Sequence, residues 1–246
     1  MQAFTYSNPA SVADAAQAAA AGAKLVAGGQ SLLPSMKLGL AAPDALADLG
    51  GIAELKGITV AGGAVKIAAM TTHAAVAASA DVRKAIPALA DLAGNIGDRQ
   101  VRNRGTIGGS LANNDPAACY PAAVLGLGAT VHTNRRDIAA DDFFQGIYTT
   151  ALAEDEIITA VSFPIPEKAG WQKFKQPASR FSIVGVFVSQ GPKGTRVAVT
   201  GAGAGGVFRA TALEDKLAAS WSAAALQGAT VSAEGLNSDL HGSAEY

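Results

Sequence analysis

Ala27-Gly28-Gly29-Gln30-Ser31 and Thr106-Ile107-Gly108-Gly109-Ser110 decide the reading of this chain. Each glycine pair follows a short run containing β-branched residues, Lys24-Leu25-Val26 in one case and Thr106-Ile107 in the other. Both pairs are therefore expected at strand ends. A strand that closes on two glycines exposes consecutive backbone N–H groups with no Cβ in the way, which is what holding a phosphate or pyrophosphate against the main chain requires. The hydroxyl of Ser31 or Ser110 adds one more donor. Two such loops, far apart in sequence, point to one diphosphate gripped from both sides, and so to a dinucleotide cofactor.

Composition narrows the setting. A chain of 246 residues can bury a sizeable core, as one large domain or two modest ones. Hydrophobic residues make up 49% and aromatics only 6%, so the core is aliphatic and the chain globular rather than disordered. A net charge of −1 gives no drive toward nucleic acid or an anionic membrane. The single cysteine, Cys119, excludes an internal disulfide and a four-thiolate iron–sulfur cluster, and alone it reads as a small buried residue. No segment reaches the length of a membrane span, and Ala15 to Ala21 lacks the basic start and leucine-type core of a signal peptide. A cytoplasmic protein is the expectation.

The opening reads strand (Phe4–Tyr6), alanine-rich helix (capped at Ser7 or Asn8, with Pro9 in its first turn and Gly22 beyond its end) and strand (Lys24–Ala27). Leu46–Leu49 closes this small α/β unit, and Ile58–Met70 reads as a hairpin. Helices are expected over Thr72–Ala80, Arg83–Ala93 and Pro121–Leu127, and strands over Ala129–His132 and Glu156–Pro164. The stretch Pro164 to Gly170 is the best boundary candidate. Beyond it, Phe181–Ser189 and Thr195–Thr200 read as a hairpin pair, and Ala210–Ala219 as helix.

Several other motifs carry less. Gly201-Ala202-Gly203-Ala204-Gly205-Gly206 matches the G-x-G-x-x-G pattern, but too little chain follows for a βαβ unit, so a turn is expected. Gly108-Gly109-Ser110 resembles a relaxed nucleophile elbow with His132 or His241 as base, but its prefix Arg102-Asn103-Arg104-Gly105 is polar rather than a buried strand. His73, His132 and His241 have no ligand spacing, and no metal is expected. Asp141-Asp142 and Glu154-Asp155-Glu156 read as solvated turns or helix starts. In extended form Arg102 and Arg104 project to one side, either toward a phosphate or as a solvent-facing edge or subunit contact.

Ala27–Ser31 continuing through Leu32-Leu33-Pro34-Ser35-Met36-Lys37-Leu38, with Thr106–Leu111 and Asp115-Pro116-Ala117-Ala118, resembles the FAD-binding medium subunit of the molybdenum hydroxylases, the carbon monoxide and xanthine dehydrogenase type. The resemblance spans essentially the whole chain, through Ala68–His73, Asp142-Phe143-Phe144, Pro177–Arg180 and Asp239–Tyr246. It implies an α+β fold: a two-subdomain FAD-binding domain of the vanillyl-alcohol oxidase type over 1–167 (about 1–56 and 57–167), then a small sheet-plus-helix domain over 168–246. Members continue past a Glu-Tyr like Glu245-Tyr246, which implies a truncated or short C-terminal domain.

The resemblance further implies that Ala27, Gly28, Gly29, Gln30 and Ser31, with Thr106, Ile107, Gly108, Gly109 and Ser110, bind the FAD pyrophosphate. Ile157 and Lys173 lie against the cofactor, and Phe181 lies near the flavin ring. Cys119 stands where many relatives carry a cofactor-binding aspartate, and a thiol is a poor replacement for that acceptor. The implied partners are a molybdopterin-binding large subunit and a [2Fe–2S] small subunit, in a dimer of heterotrimers. Substrate is oxidised in the large subunit, electrons reach FAD here, and an external acceptor removes them, so no catalytic side chain is implied in this chain. A self-sufficient flavin oxidase and an FAD-free scaffold are the alternatives.

Overall fold

The computed structural model describes residues 1–246, and the chain begins with a small parallel unit. β1 (Thr5–Ser7), α1 (Val12–Ala20), β2 (Lys24–Val26), α2 (Leu32–Lys37) and β3 (Ala45–Asp48) follow one another, with strand order β1-β3-β2. α1 starts later than Pro9 because β1 runs to Ser7. Its cap is Ser11, whose hydroxyl accepts from the Asp14 amide. Met36 of α2 packs on Val26 and Leu46, which fixes α2 against β2 and β3.

A five-stranded antiparallel sheet follows, in the order β4-β5-β10-β6-β7. Its strands are β4 (Ile58–Ala61), β5 (Ala64–Ala68), β6 (Thr130–Thr133), β7 (Asp137–Ala139) and β10 (Ile158–Pro164). Period-two alternation sends Val65, Ile67, Val131, Val161 and Phe163 to the inner face, where they join Leu89, Leu92, Ile107, Leu111 and Val124 in the main core. On the outer face Thr59, Lys66, Ser162 and Thr130 stand opposite one another in register. Between β5 and β6 run α3 (His73–Ala78), α4 (Ala80–Ala85), α5 (Pro87–Gly94), α6 (Arg99–Arg104), α7 (Ile107–Asn113) and α8 (Tyr120–Leu127). The expected helix Arg83–Ala93 is split at Pro87, which opens α5, where its missing N–H is not needed. α9 (Ala140–Phe143) starts at the acidic pair, and β8 (Phe144–Gly146) pairs with β9 (Thr149–Thr150).

Two sequence expectations are overturned between residues 98 and 113. The basic stretch is helix α6, because Asp98 accepts from the Val101 amide at 2.7 Å and so caps it. The second glycine pair lies in the first turn of α7, because Thr106 accepts from the Gly109 amide. Capping hydrogen bonds here outweigh the β-branched character of Thr106-Ile107.

The remainder is an antiparallel meander, β11 (Lys168–Lys175), β12 (Ser182–Gly191), β13 (Gly194–Thr200) and β14 (Phe208–Arg209), with α10 (Thr211–Ala219) packed on it through Leu217, Val197 and Val199. Within the stretch expected to hold a boundary only Ile165–Glu167 lies between strands, since β10 runs to Pro164 and β11 begins at Lys168. Gly201–Gly206 is a turn between β13 and β14, as expected. α8 is buried all round, because the five-stranded sheet lies on one side and Phe187 and Ala198 of the meander reach the same core from the other.

Candidate functional site

β2 delivers the first glycine motif to the edge of the parallel unit. Gly29 has φ +69°, a left-handed conformation that glycine adopts without strain. The amides of Ala27, Gly28, Gly29, Gln30 and Ser31 donate to no acceptor within the chain. The Gln30 side chain folds back onto the Gly28 carbonyl at 2.9 Å, leaving those amides clear. Gly28 and Gly29 are half-buried, while Gln30 and Ser31 are exposed. Five successive N–H groups without a partner in the chain are a donor run suited to an anion.

The second motif contributes differently. Its amides are committed: Ile107 to the Thr71 carbonyl at 3.2 Å, Gly108 to Ala69 at 2.8 Å, Gly109 to the Thr106 hydroxyl at 3.1 Å, and Ser110 to the Thr106 carbonyl at 3.0 Å. The expectation of a second set of free amides therefore fails. What the glycines supply is closeness. A Cβ on Gly108 would stand 2.6 Å from that of Ala69, and one on Gly109 would stand 3.2 Å from the Cβ of Ala27. A Cβ on Gly28 would overlap the Arg104 carbonyl oxygen and lie 2.6 Å from the Gly105 Cα. The two glycine motifs thus meet, and side chains at Gly28 or Gly109 would prise them apart. The donor array lies beside Gly109 and Ser110, which are half-buried, with Thr106, Ile107 and Gly108 buried behind them, so an anion can approach the main chain here.

Ile157 is buried in a cluster with Leu49, Ile52 and Met70, against which Ala27 of the first motif also packs. Its amide donates to Asn134 at 2.8 Å. Cys119 and Lys173, distant in sequence, come together: Lys173 Nζ lies 3.3 Å from Cys119 Sγ and 3.0 Å from the Asn95 carbonyl. Ser182 Oγ lies 3.7 Å from the same sulfur. Cys119 sits before α8, whose first residue, Tyr120, has its ring 5.3 Å from that of His73. His73 in turn abuts Gly105, so this cluster joins the second glycine motif through two buried rings. Phe181 stands on the turn between β11 and β12 and is exposed.

His73 is buried, which is the larger reason its imidazole is held down to about 4, with the Arg102 charge adding to the effect. Arg102 donates through Nη1 to the Ile96 and Gly97 carbonyls at 3.0 and 3.1 Å. Arg104 is exposed, and the helical backbone removes the shared side that an extended chain would have given the pair. Glu156, expected as solvated, is buried and accepts from Arg136, Thr133 and the Ala153 amide. Nothing in local sequence signals the Lys173–Cys119 contact, since it spans the main core and the meander.

Residues 2–166 match the family described as the FAD binding domain in molybdopterin dehydrogenase. The nicotine 6-hydroxylase medium subunit of Paenarthrobacter nicotinovorans is 37% identical over 100% of this chain and 92% of its own. The carbon monoxide dehydrogenase medium chain of Hydrogenophaga pseudoflava is 38% identical over 79% of this chain and 71% of its own. Among solved structures, carbon monoxide dehydrogenase from Hydrogenophaga pseudoflava superposes with a TM-score of 0.90 at 35% identity, covering 100% of this chain and 92% of that one. Quinoline 2-oxidoreductase from Pseudomonas putida 86 gives a TM-score of 0.87 at 32% identity, covering 99% and 91%. The convergent glycine motifs and these likenesses agree: the chain belongs to the FAD-binding family of the molybdopterin dehydrogenases, as a medium subunit of the molybdenum hydroxylase type.

Proposed function

We propose that this chain holds FAD across the junction of its two glycine motifs and relays electrons from an iron–sulfur partner to an external acceptor. The observation that carries this reading is the meeting of Gly28 with Arg104–Gly105 and of Gly109 with Ala27, beside five unpaired amides. In this reading the amides of Ala27 to Ser31 take the diphosphate, and Thr106 to Ser110 form the opposing wall. Ile157 supports the first motif from behind, and Lys173 with Cys119 forms a second contact region. When bound, FAD supplies exchange of electrons singly or in pairs. The protein contributes binding, orientation and electrostatics.

Relatives carry names for chemically unrelated substrates, among them nicotine, carbon monoxide, glyceraldehyde and caffeine. Such a spread is expected if substrate chemistry sits in another subunit. The proposed assembly is therefore a hetero-oligomer with a molybdopterin-binding large subunit and a [2Fe–2S] small subunit, arranged as a dimer of heterotrimers. Within the chain, 1–167 is the proposed FAD-binding domain and 168–246 a C-terminal domain. The test is direct: the purified chain should show flavin absorbance bands, and reduced iron–sulfur subunit should bleach them. A chain that stays colourless with added FAD overturns the binding reading. Turnover of substrate by this chain alone overturns the relay reading.

A further inference from the structure

The outer face of the five-stranded sheet, opposite the helices, carries a group of side chains that the flavin reading leaves unused. His132 on β6 stands directly across from Asp137 on the edge strand β7. On its other side it faces Ala160 of β10, and Ser162 lies two residues further along that strand, on the same face. A long side chain reaches such a diagonal neighbour. Accordingly, His132 Nδ1 lies 2.6 Å from Asp137 Oδ1, and Nε2 lies 2.7 Å from Ser162 Oγ. A carboxylate only accepts, so in the neutral ring Nδ1 carries the proton and Nε2 presents its lone pair to the serine hydroxyl.

Hydroxyl, imidazole and carboxylate in that order are the parts of an activated serine nucleophile. A fourth group stands beside them. Lys66 is paired with Ser162 across β5 and β10, and is exposed. The register puts a lysine on the same face beside the serine, and a lysine so placed is the residue type that can offset charge on an oxyanion. The His132 side chain is 22% exposed and Asp137 66%, so the imidazole is partly shielded yet reachable. With His132 and Ser162 only partly exposed, the face suits small, unhindered acyl groups.

We propose that Ser162, His132 and Asp137 form a hydrolytic site for small carboxylic esters, with Lys66 facing the oxyanion. Ser162 Oγ bonds to the ester carbonyl carbon as its proton passes to His132 Nε2. The C–O bond to the alcohol breaks, and the alcohol leaves with that proton, giving acyl-Ser162. Water repeats the sequence, releasing the acid and restoring Ser162. One ester and one water yield one acid and one alcohol, and no oxidant is consumed.

The same three side chains could instead serve only to tie the edge strand β7 to the sheet. Two measurements on the full chain separate these roles. A fluorophosphonate should leave a covalent adduct on Ser162, identified by peptide mass spectrometry. Hydrolysis of p-nitrophenyl acetate should fall about 100-fold or more in S162A, with smaller losses in D137N and K66M. Circular dichroism and flavin absorbance of the variants should match the parent, which keeps this test independent of the cofactor reading. An unlabelled Ser162, or S162A hydrolysing the ester at the parent rate, overturns the proposal. Should S162A fail to fold, the adduct on the parent chain decides alone.

Discussion

Gly28 has no room for even a methyl group. Its Cβ position overlaps the Arg104 carbonyl oxygen, which is backbone and cannot rotate away. Gly28→Ala should therefore push the two motifs apart at a stability cost of about 1–3 kcal/mol and lower the FAD content of the protein. The flavin-to-protein absorbance ratio of purified protein reads this. Gly51→Ala is the control, because a Cβ there meets only the Pro9 carbonyl at 3.7 Å. His73 raises a different residue-level question. Its Nδ1 is buried with no partner, and its folded pKa of about 4 lies below the ordinary 6.5. A depressed folded value means that the unfolded chain binds the proton first as pH falls. His73 thus contributes stability that is complete above about pH 6.5 and is lost as the pH falls toward 4. The melting temperature of the parent should drop across that window, and His73→Leu should flatten the drop.

At the level of elements, the β6–β7 turn is tied down by one carboxylate. Glu156 accepts from Arg136 Nε at 2.9 Å, from Arg136 Nη2 and the Ala153 amide at 3.0 Å, and from Thr133 Oγ1 at 2.8 Å. The Arg136 hydrogen bond is the largest reason that its carboxyl is held down to about 2, below the ordinary 4.5. The sign is again that of a depressed pKa: the contribution is full above about pH 4.5 and disappears toward pH 2. Glu156→Gln should lower the melting temperature at pH 7 and leave it less sensitive to acid between pH 4.5 and 2 than the parent. Arg135 adds an ion pair with Asp155 at the same turn, but both side chains are solvent-accessible, so its loss should matter little.

At the scale of the whole molecule, α8 ties the meander to the five-stranded sheet. Phe187 of β12 presses on Gly126, where an added Cβ would stand 2.8 Å from the ring. Ser189 Oγ donates to the Gly126 carbonyl at 2.6 Å, and buried Arg196 donates to Leu125 at 2.6 Å while pairing with Asp141. The Asp115–Ala118 segment is gripped from the same side, since Thr200 Oγ1 bonds the Pro116 and Ala118 carbonyls at 3.0 and 2.7 Å. The meander and the five-stranded sheet therefore share a core. Calorimetry should show one cooperative transition. Gly126→Leu should lower it by about 1–3 kcal/mol, at roughly 2–4 °C per kcal/mol. Two separated transitions in the parent would show that the units unfold independently.

Local chemistry alone carried much of this protein. Alternation in Ala64-Val65-Lys66-Ile67-Ala68 sets a one-sided strand, Gly22 ends α1, and the two glycine pairs mark a main chain that must be approached closely. These features are legible because each depends on residues a few positions apart. The helical state of Ile107–Asn113 is not, since a β-branched pair and a capping threonine give opposite local signals and the caps prevail only with Thr71 and Ala69 accepting from outside. Tertiary structure alone brought Lys173 to Cys119, aligned Ser162 with His132 and Asp137, and seated Gly109 against Ala27. Such contacts follow from strand register and from how helices pack on a sheet, which are set by the whole buried surface at once.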